Sequence, residues 1–178
     1  MKLTWFGGTT LRVYLGGEIV VVDADGAPEG VSRQELTSGA DRLVSLREAY
    51  PLIDPESWKI PRPSRAIDES RRLEVLSIGL DTCLISGEGD PPLLILNVTE
   101  LPRLGHWVDD AVVAAFGERG AALVEDIVML DLAKPRHVVL GATDEAVDQL
   151  FDRLETIDDR FWDDFRFSSL EPGLAVEV

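Results

Sequence analysis

Cysteine and histidine are scarce in this chain of 178 residues: Cys83 stands alone, and His106 and His137 are the only imidazoles. One thiol excludes an internal disulfide and any cysteine-cluster metal site. Its apolar neighbours Leu84 and Ile85 mark it as a core residue. Long apolar runs are missing as well, since nothing approaches the roughly 18 residues that a membrane-spanning helix requires. The first residues, with Lys2, Trp5, Gly7 and Gly8, lack the apolar stretch and small-residue cleavage site of a secretory leader. The expected setting is therefore the cytoplasm, away from the membrane. Basic residues are few, 17 Lys and Arg against 33 Asp and Glu, and the net charge of −16 makes nucleic acid a poor partner.

What is present fits one domain spanning residues 1–178, 45% hydrophobic and 28% charged. Leu3 and Trp5, then Leu11, Val13 and Leu15, then Ile19, Val20, Val21 and Val22, read as three short strands. Gly16-Gly17 between the last two is a hairpin signal, because a primed turn needs positive φ at both central residues. The run ending in Asp23 is apolar on both faces, as in a buried strand that delivers a carboxylate to an edge. Residues 32–37 suit a short helix and residues 42–46 another strand. Four prolines, at 51, 55, 61 and 63, forbid regular structure over residues 50–64. Strands are expected at residues 73–78, 82–85 and 93–97, with Gly87-Glu88-Gly89-Asp90 as the turn between the last two. Helical spacing is read at Val108, Val112, Val113 and Phe116, at Leu123, Ile127 and Leu130, and at Val147, Leu150, Phe151 and Leu154, with a buried strand at residues 137–140 before the last. Strands first and helices interleaved later point to a layered α/β sandwich.

Several of these segments resemble one family. Trp5-Phe6-Gly7-Gly8-Thr9, the Gly16-Gly17 hairpin and Val20-Val21-Val22-Asp23 resemble the opening of metallo-β-lactamase-fold hydrolases of the ascorbate-6-phosphate lactonase-like branch. There a Trp-x-Gly-His segment precedes a Gly-Gly hairpin and a strand ending in Asp-Pro. Residues 40–46 look like the strand that leads into the family's His-x-His-x-Asp-His, and Ile53-Asp54-Pro55 keeps the character of the family's residues just beyond that motif. Leu93 to Leu96 with Asn97, Val98 and Thr99 resembles the strand ending in Gly-Asp-Thr, and the segment from Pro135 to Ala142 resembles the late strand that carries the last ligand. The resemblance implies a four-layer αββα sandwich, reduced in size. The ligand places, however, hold Arg47, Ala49, Pro51 and Leu52, then Val98, then Ala142. Zinc needs imidazole nitrogen or carboxylate oxygen at about 2 Å, and these side chains offer neither.

The expectation is a catalytically inactive relative without metal or other cofactor, which binds or scaffolds an unidentified protein partner, an effector or its own copy. The alternative is a metal-independent or non-zinc hydrolase acting on an anionic small molecule through Asp23, Asp25 and Arg47, the paired carboxylates being of a kind that can bind a hard cation such as magnesium. In either case Pro51 and Leu52 are expected to pack against apolar neighbours where the family holds metal. Arg47 is expected to replace the metal as positive centre, paired with Asp23 or, second, Asp25, since a desolvated cation needs an anion. Asp23 and Asp25 also suit capping or turn roles, and His106 and His137 read as structural. Lys59, Arg62, Arg65, Arg71 and Arg72 form the one basic stretch, able to fork onto phosphate or carboxylate or to pair with surplus acids. Residues 144–178 carry half of the net charge, a solvated face or a docking surface for a basic partner.

Overall fold

The computed structural model describes residues 1–62, 73–129, 133–155 and 165–178. β1 (Lys2–Gly7), β2 (Thr10–Leu15) and β3 (Glu18–Val22) form the expected antiparallel meander. Its alternation is physical: Leu3, Trp5, Leu11, Val13, Leu15, Val20 and Val22 all enter one buried cluster. Gly16 and Gly17, with φ of 60° and 82°, supply the two left-handed residues of the turn between β2 and β3. α1 (Arg33–Thr37), capped by the Ser32 hydroxyl accepting from the Glu35 amide, leads to β4 (Arg42–Val44), which runs parallel to β3. β11 (Ala175–Glu177) closes the other edge on β1 and gives the order β11-β1-β2-β3-β4.

The second sheet is built from β5 (Glu74–Leu76), β6 (Thr82–Ser86), β7 (Leu93–Leu96), β8 (Val112–Phe116), β9 (His137–Gly141) and β10 (Phe167–Ser169), in the order β10-β9-β8-β7-β6-β5. β7 to β10 are parallel, and β5 and β6 are antiparallel additions. The two sheets share a core to which Ile85, Leu93, Ile95, Val112 and Val139 contribute from the second sheet. On that sheet's other face Leu84, Leu94, Leu96, Val113 and Leu140 pack with α2 (Gly117–Met129) and α3 (Asp144–Leu154). Val21, Ala24 and Leu36 form a small third cluster between the outer face of the first sheet and α1. The chain is thus a mixed α/β protein with two mixed sheets. Each fully buried leucine or isoleucine is worth about 1.5–3 kcal/mol.

Three expectations are corrected here. The spacing of Val108, Val112, Val113 and Phe116 reads as helical, yet Val108 lies in a 3-10 turn (His106–Asp110) and the others form β8. β8 is central and parallel, covered on both faces, so every residue of it is buried and the two-residue alternation vanishes. Pro51 and Leu52 do not pack against apolar neighbours as expected, and both are exposed. Leu52 is 73% exposed, and the segment lies along the β5 edge, where Pro51 O accepts from Ser77 N at 3.0 Å and Ile53 N donates to Ser77 O at 2.9 Å. Its backbone, not its side chains, is what the fold uses. β4 ends at Val44 instead of continuing to Leu46, because the Leu46 amide donates to an Asp23 carboxylate oxygen at 2.8 Å. Leu130, Arg65, Arg71, Arg72 and Pro63 lie outside the described residues. No helix among the described residues is long and apolar enough to cross a membrane.

Candidate functional site

Parallel strands end together, so β7, β8 and β9 deliver their C-terminal residues to one edge of the molecule, the place where α/β proteins open a crevice. A cleft of about 510 Å³ lies there. One wall is the turn between β1 and β2, with Trp5, Gly7, Gly8 and Thr9; the other is Asn97 and the two strand-to-helix junctions, Phe116 to Arg119 and Gly141 to Thr143. Gly117, at φ 61°, makes the reversal from β8 into α2. Thr143 caps α3 by accepting from the Ala146 amide at 3.4 Å. Trp5 is fixed from two sides: its Nε1 donates to Gly8 O at 3.0 Å, and its ring lies so close to Gly141 that a Cβ there would meet Cε2 at 2.7 Å.

Asp23 organises the edge beside this cleft. Its backbone is left-handed, at φ 47° and ψ 50°, a conformation that aspartate tolerates better than most residues. One carboxylate oxygen accepts from the Thr9 hydroxyl at 2.7 Å and the other from the Leu46 amide, while its carbonyl accepts from the Thr10 hydroxyl at 2.9 Å. Asp23 thereby ties the β1–β2 turn to the end of β4. Asp25 pairs instead with Arg33 on the surface. Arg47 is exposed and, among the described residues, has no carboxylate partner. The expected pairing of Arg47 with Asp23 or Asp25 is therefore corrected. Residues 45–50 fold back on themselves, with Glu48 N donating to Ser45 O, Arg47 N to the Ser45 hydroxyl, and the Tyr50 hydroxyl bridging Ser45 N and Glu48. That tight turn sends the guanidinium into water, and Asp23, already satisfied by neutral donors, does not call it back.

Of the six residues that the resemblance sets at ligand places, only Ala142 lines the cleft. Val98 is half-buried against the core cluster that α2 and α3 share with the second sheet, Ala49 is exposed, and Arg47, Pro51 and Leu52 lie outside the cleft lining. Among the described residues no three of His, Cys, Asp and Glu come together closely enough to hold an ion. Cys83 is buried in the shared core, and desolvation, with the Asp23 charge second, pushes its thiol up to about 12, which leaves it un-ionised and inert. The sequence reading did not single out Asn97 or Arg119. Among the described residues neither side chain has a partner, and both face the cleft. The signals were a polar residue directly after the all-apolar Leu93–Leu96 run and a cation in the first turn of a helix, where the dipole disfavours it.

His137 sits at the opposite end of β9 from the cleft, half-buried, with Nε2 at 2.9 Å from the Ser168 hydroxyl. Burial first, then Arg166 and Arg136, hold its pKa below the ordinary 6.5. The unfolded chain takes up a proton near that ordinary value while the fold resists it, so His137 costs stability as pH falls below about 6.5 and costs nothing above it. The stability difference between the wild type and His137→Gln is expected to be constant above about pH 7 and to move against the wild type below about 6 in urea titrations. A difference that ignores pH would sink this reading. His106, at the start of the 3-10 turn, is fully exposed and lies 3.5 Å from Asp109.

No family model matches this sequence, and no curated protein is detectably similar to it. What the fold and the cleft define is a class: a mixed α/β protein with two mixed sheets and a crevice over its parallel strand ends.

Proposed function

We propose that this chain is a metallo-β-lactamase-like, four-layer αββα domain that keeps the strand-end cleft of that fold but acts by binding a ligand or partner rather than by metal-dependent hydrolysis. The observation that carries the reading is the composition of the cleft. It has the size of a small-molecule site, roughly 300–1,000 Å³ in general, and walls of Trp5, Phe116, Ala142 and glycine, with Asn97 and Arg119 as recognition groups that have no side-chain partner among the described residues. The donor set does not fit a metal. Guanidinium, methyl, pyrrolidine, isobutyl and isopropyl groups at the family's ligand places supply no lone pair to zinc, iron or manganese. The hydrolytic alternative on Asp23, Asp25 and Arg47 has no support from the geometry, since the first is satisfied, the second pairs with Arg33 and the third points to solvent.

Protein purified without added metal is expected to carry far less than one equivalent of zinc, iron or manganese and to turn over no lactone, thioester or phosphodiester after zinc or manganese is supplied. Small aromatic fragments should still shift NMR resonances of Trp5, Asn97 and Ala142, and Asn97→Leu with Arg119→Gln should weaken that binding by roughly tenfold, about 1.4 kcal/mol. About one metal per chain by elemental analysis, or turnover, would overturn the proposal.

A further inference from the structure

A second concave site, of about 530 Å³, lies near the opposite end of the second sheet, away from the strand-end cleft. It is formed by the turn between β6 and β7, the start of β5, the first residue of the chain and the residues just before β9. Arg62 and Arg136 both line it. Arg62 belongs to the one basic stretch of the sequence, and Arg136 stands next to His137. Among the described residues neither guanidinium makes an ion pair, although acids outnumber bases almost two to one in this chain. Surplus carboxylate would make internal pairing easy. Two of the acidic groups of the site have partners of their own: Asp90 accepts from the Met1 ammonium, which also lines the site, at 3.0 Å and from the Gly16 amide at 2.8 Å, and Glu88 is engaged as well. Glu74 and the Val178 end of β11 complete the polar lining, and Ile60, Pro61 and Pro91 supply an apolar side. Arg166, near enough to His137 to hold down its proton affinity together with Arg136, adds to the positive field at this end.

We infer that this site binds a small organic anion carrying two negative charges, held by Arg62 and Arg136. Guanidinium groups present planar pairs of N–H donors that match the two oxygens of a carboxylate or phosphate, and a cavity of this size accommodates the organic body as well. Glu74 confines the negative charge to the arginine side and accepts from a hydroxyl or amine on the ligand body.

The test is titration of the full chain with succinate and, separately, with pyrophosphate at constant ionic strength, followed by NMR and calorimetry, on the wild type, Arg62→Gln and Arg136→Gln. Both arginines are exposed and make no ion pair among the described residues, so the variants should melt within a degree or two of the wild type. Saturable binding is expected for at least one of the two anions, with shifts at Gly87, Gly89 and His137, weakened roughly tenfold by either substitution and further by raised salt. Asn97→Leu and Arg119→Gln, in the strand-end cleft, should leave it unchanged. Preference for succinate or for pyrophosphate identifies the ligand as carboxylate or phosphate. Linear, unsaturated shifts with both anions, affinity indifferent to both arginines, or shifts confined to the strand-end cleft would each overturn the assignment.

Discussion

Trp5→Ala is expected to destabilise the protein by about 4 kcal/mol, more than any other substitution proposed for this chain, because truncating a buried tryptophan removes its transfer energy and leaves a cavity. Trp5 is 7% exposed, belongs to the core shared by the two sheets, and forms the floor of the cleft. The same ring explains why position 141 is glycine. A Cβ at Gly141 would lie 2.7 Å from Cε2 and 2.9 Å from both Cδ2 and Nε1 of Trp5, and moving the ring aside would break its hydrogen bond to Gly8. Gly141→Ala should therefore cost about 2 kcal/mol in the wild type and much less in a Trp5→Ala background, where the methyl enters the vacated space. Urea denaturation of the four proteins gives the coupling directly. Simple additivity, or a loss below about 1 kcal/mol for Trp5→Ala, would show that the aromatic floor is not the structural centre of the cleft.

Asp23→Ala should lower stability by about 3 kcal/mol, since it removes an ionic acceptor from two donors, leaves the Leu46 amide without a partner, and puts alanine into a left-handed backbone. Two further variants separate those causes. Asp23→Gly restores the backbone freedom alone and should recover part of the loss, whereas Asp23→Asn keeps the left-handed preference and one carbonyl acceptor and should cost only about 1 kcal/mol. If Ala, Gly and Asn prove equivalent, neither the carboxylate bonds nor the backbone conformation matters and Asp23 is not a structural tie. Arg47→Met, by contrast, should change stability by less than about 0.5 kcal/mol, as for an exposed side chain with no carboxylate partner among the described residues.

The local elements were legible where one physical rule governed them. Alternating apolar residues and a Gly-Gly turn announce the β1–β2–β3 meander, Ser32 announces α1, and the apolar spacing of Val147, Leu150 and Leu154 announces α3, because strand pleating, capping and helix periodicity act within a few residues. Val112 to Phe116 escaped for the opposite reason: a parallel strand covered on both faces has no periodicity, and short apolar runs of strand and helix look alike. The structural role of Asp23, at the end of an apolar strand, was open in the sequence as one of two readings. The direction of Arg47 was not, since it depends on a turn closed by Ser45 and Tyr50 and on donors that reach Asp23 from Thr9 and Leu46, residues up to 23 positions away.

The sequence by itself determined which side chains exist to do chemistry: a single cysteine allows neither an internal disulfide nor a cysteine-cluster metal site, and two histidines 31 residues apart offer no His-x-His motif. It also determined the charge, the apolar segments and most turns. Only the tertiary structure decided which residues meet. Four strand ends and two helix starts, separated by more than a hundred residues, converge on one edge and turn Trp5, Asn97, Arg119 and Ala142 into a single cleft, while Pro51 and Leu52 are left on the surface. Composition and spacing set local preferences within a turn or a strand. Long-range convergence is set by the packing of two sheets against each other, and no local pattern carries it.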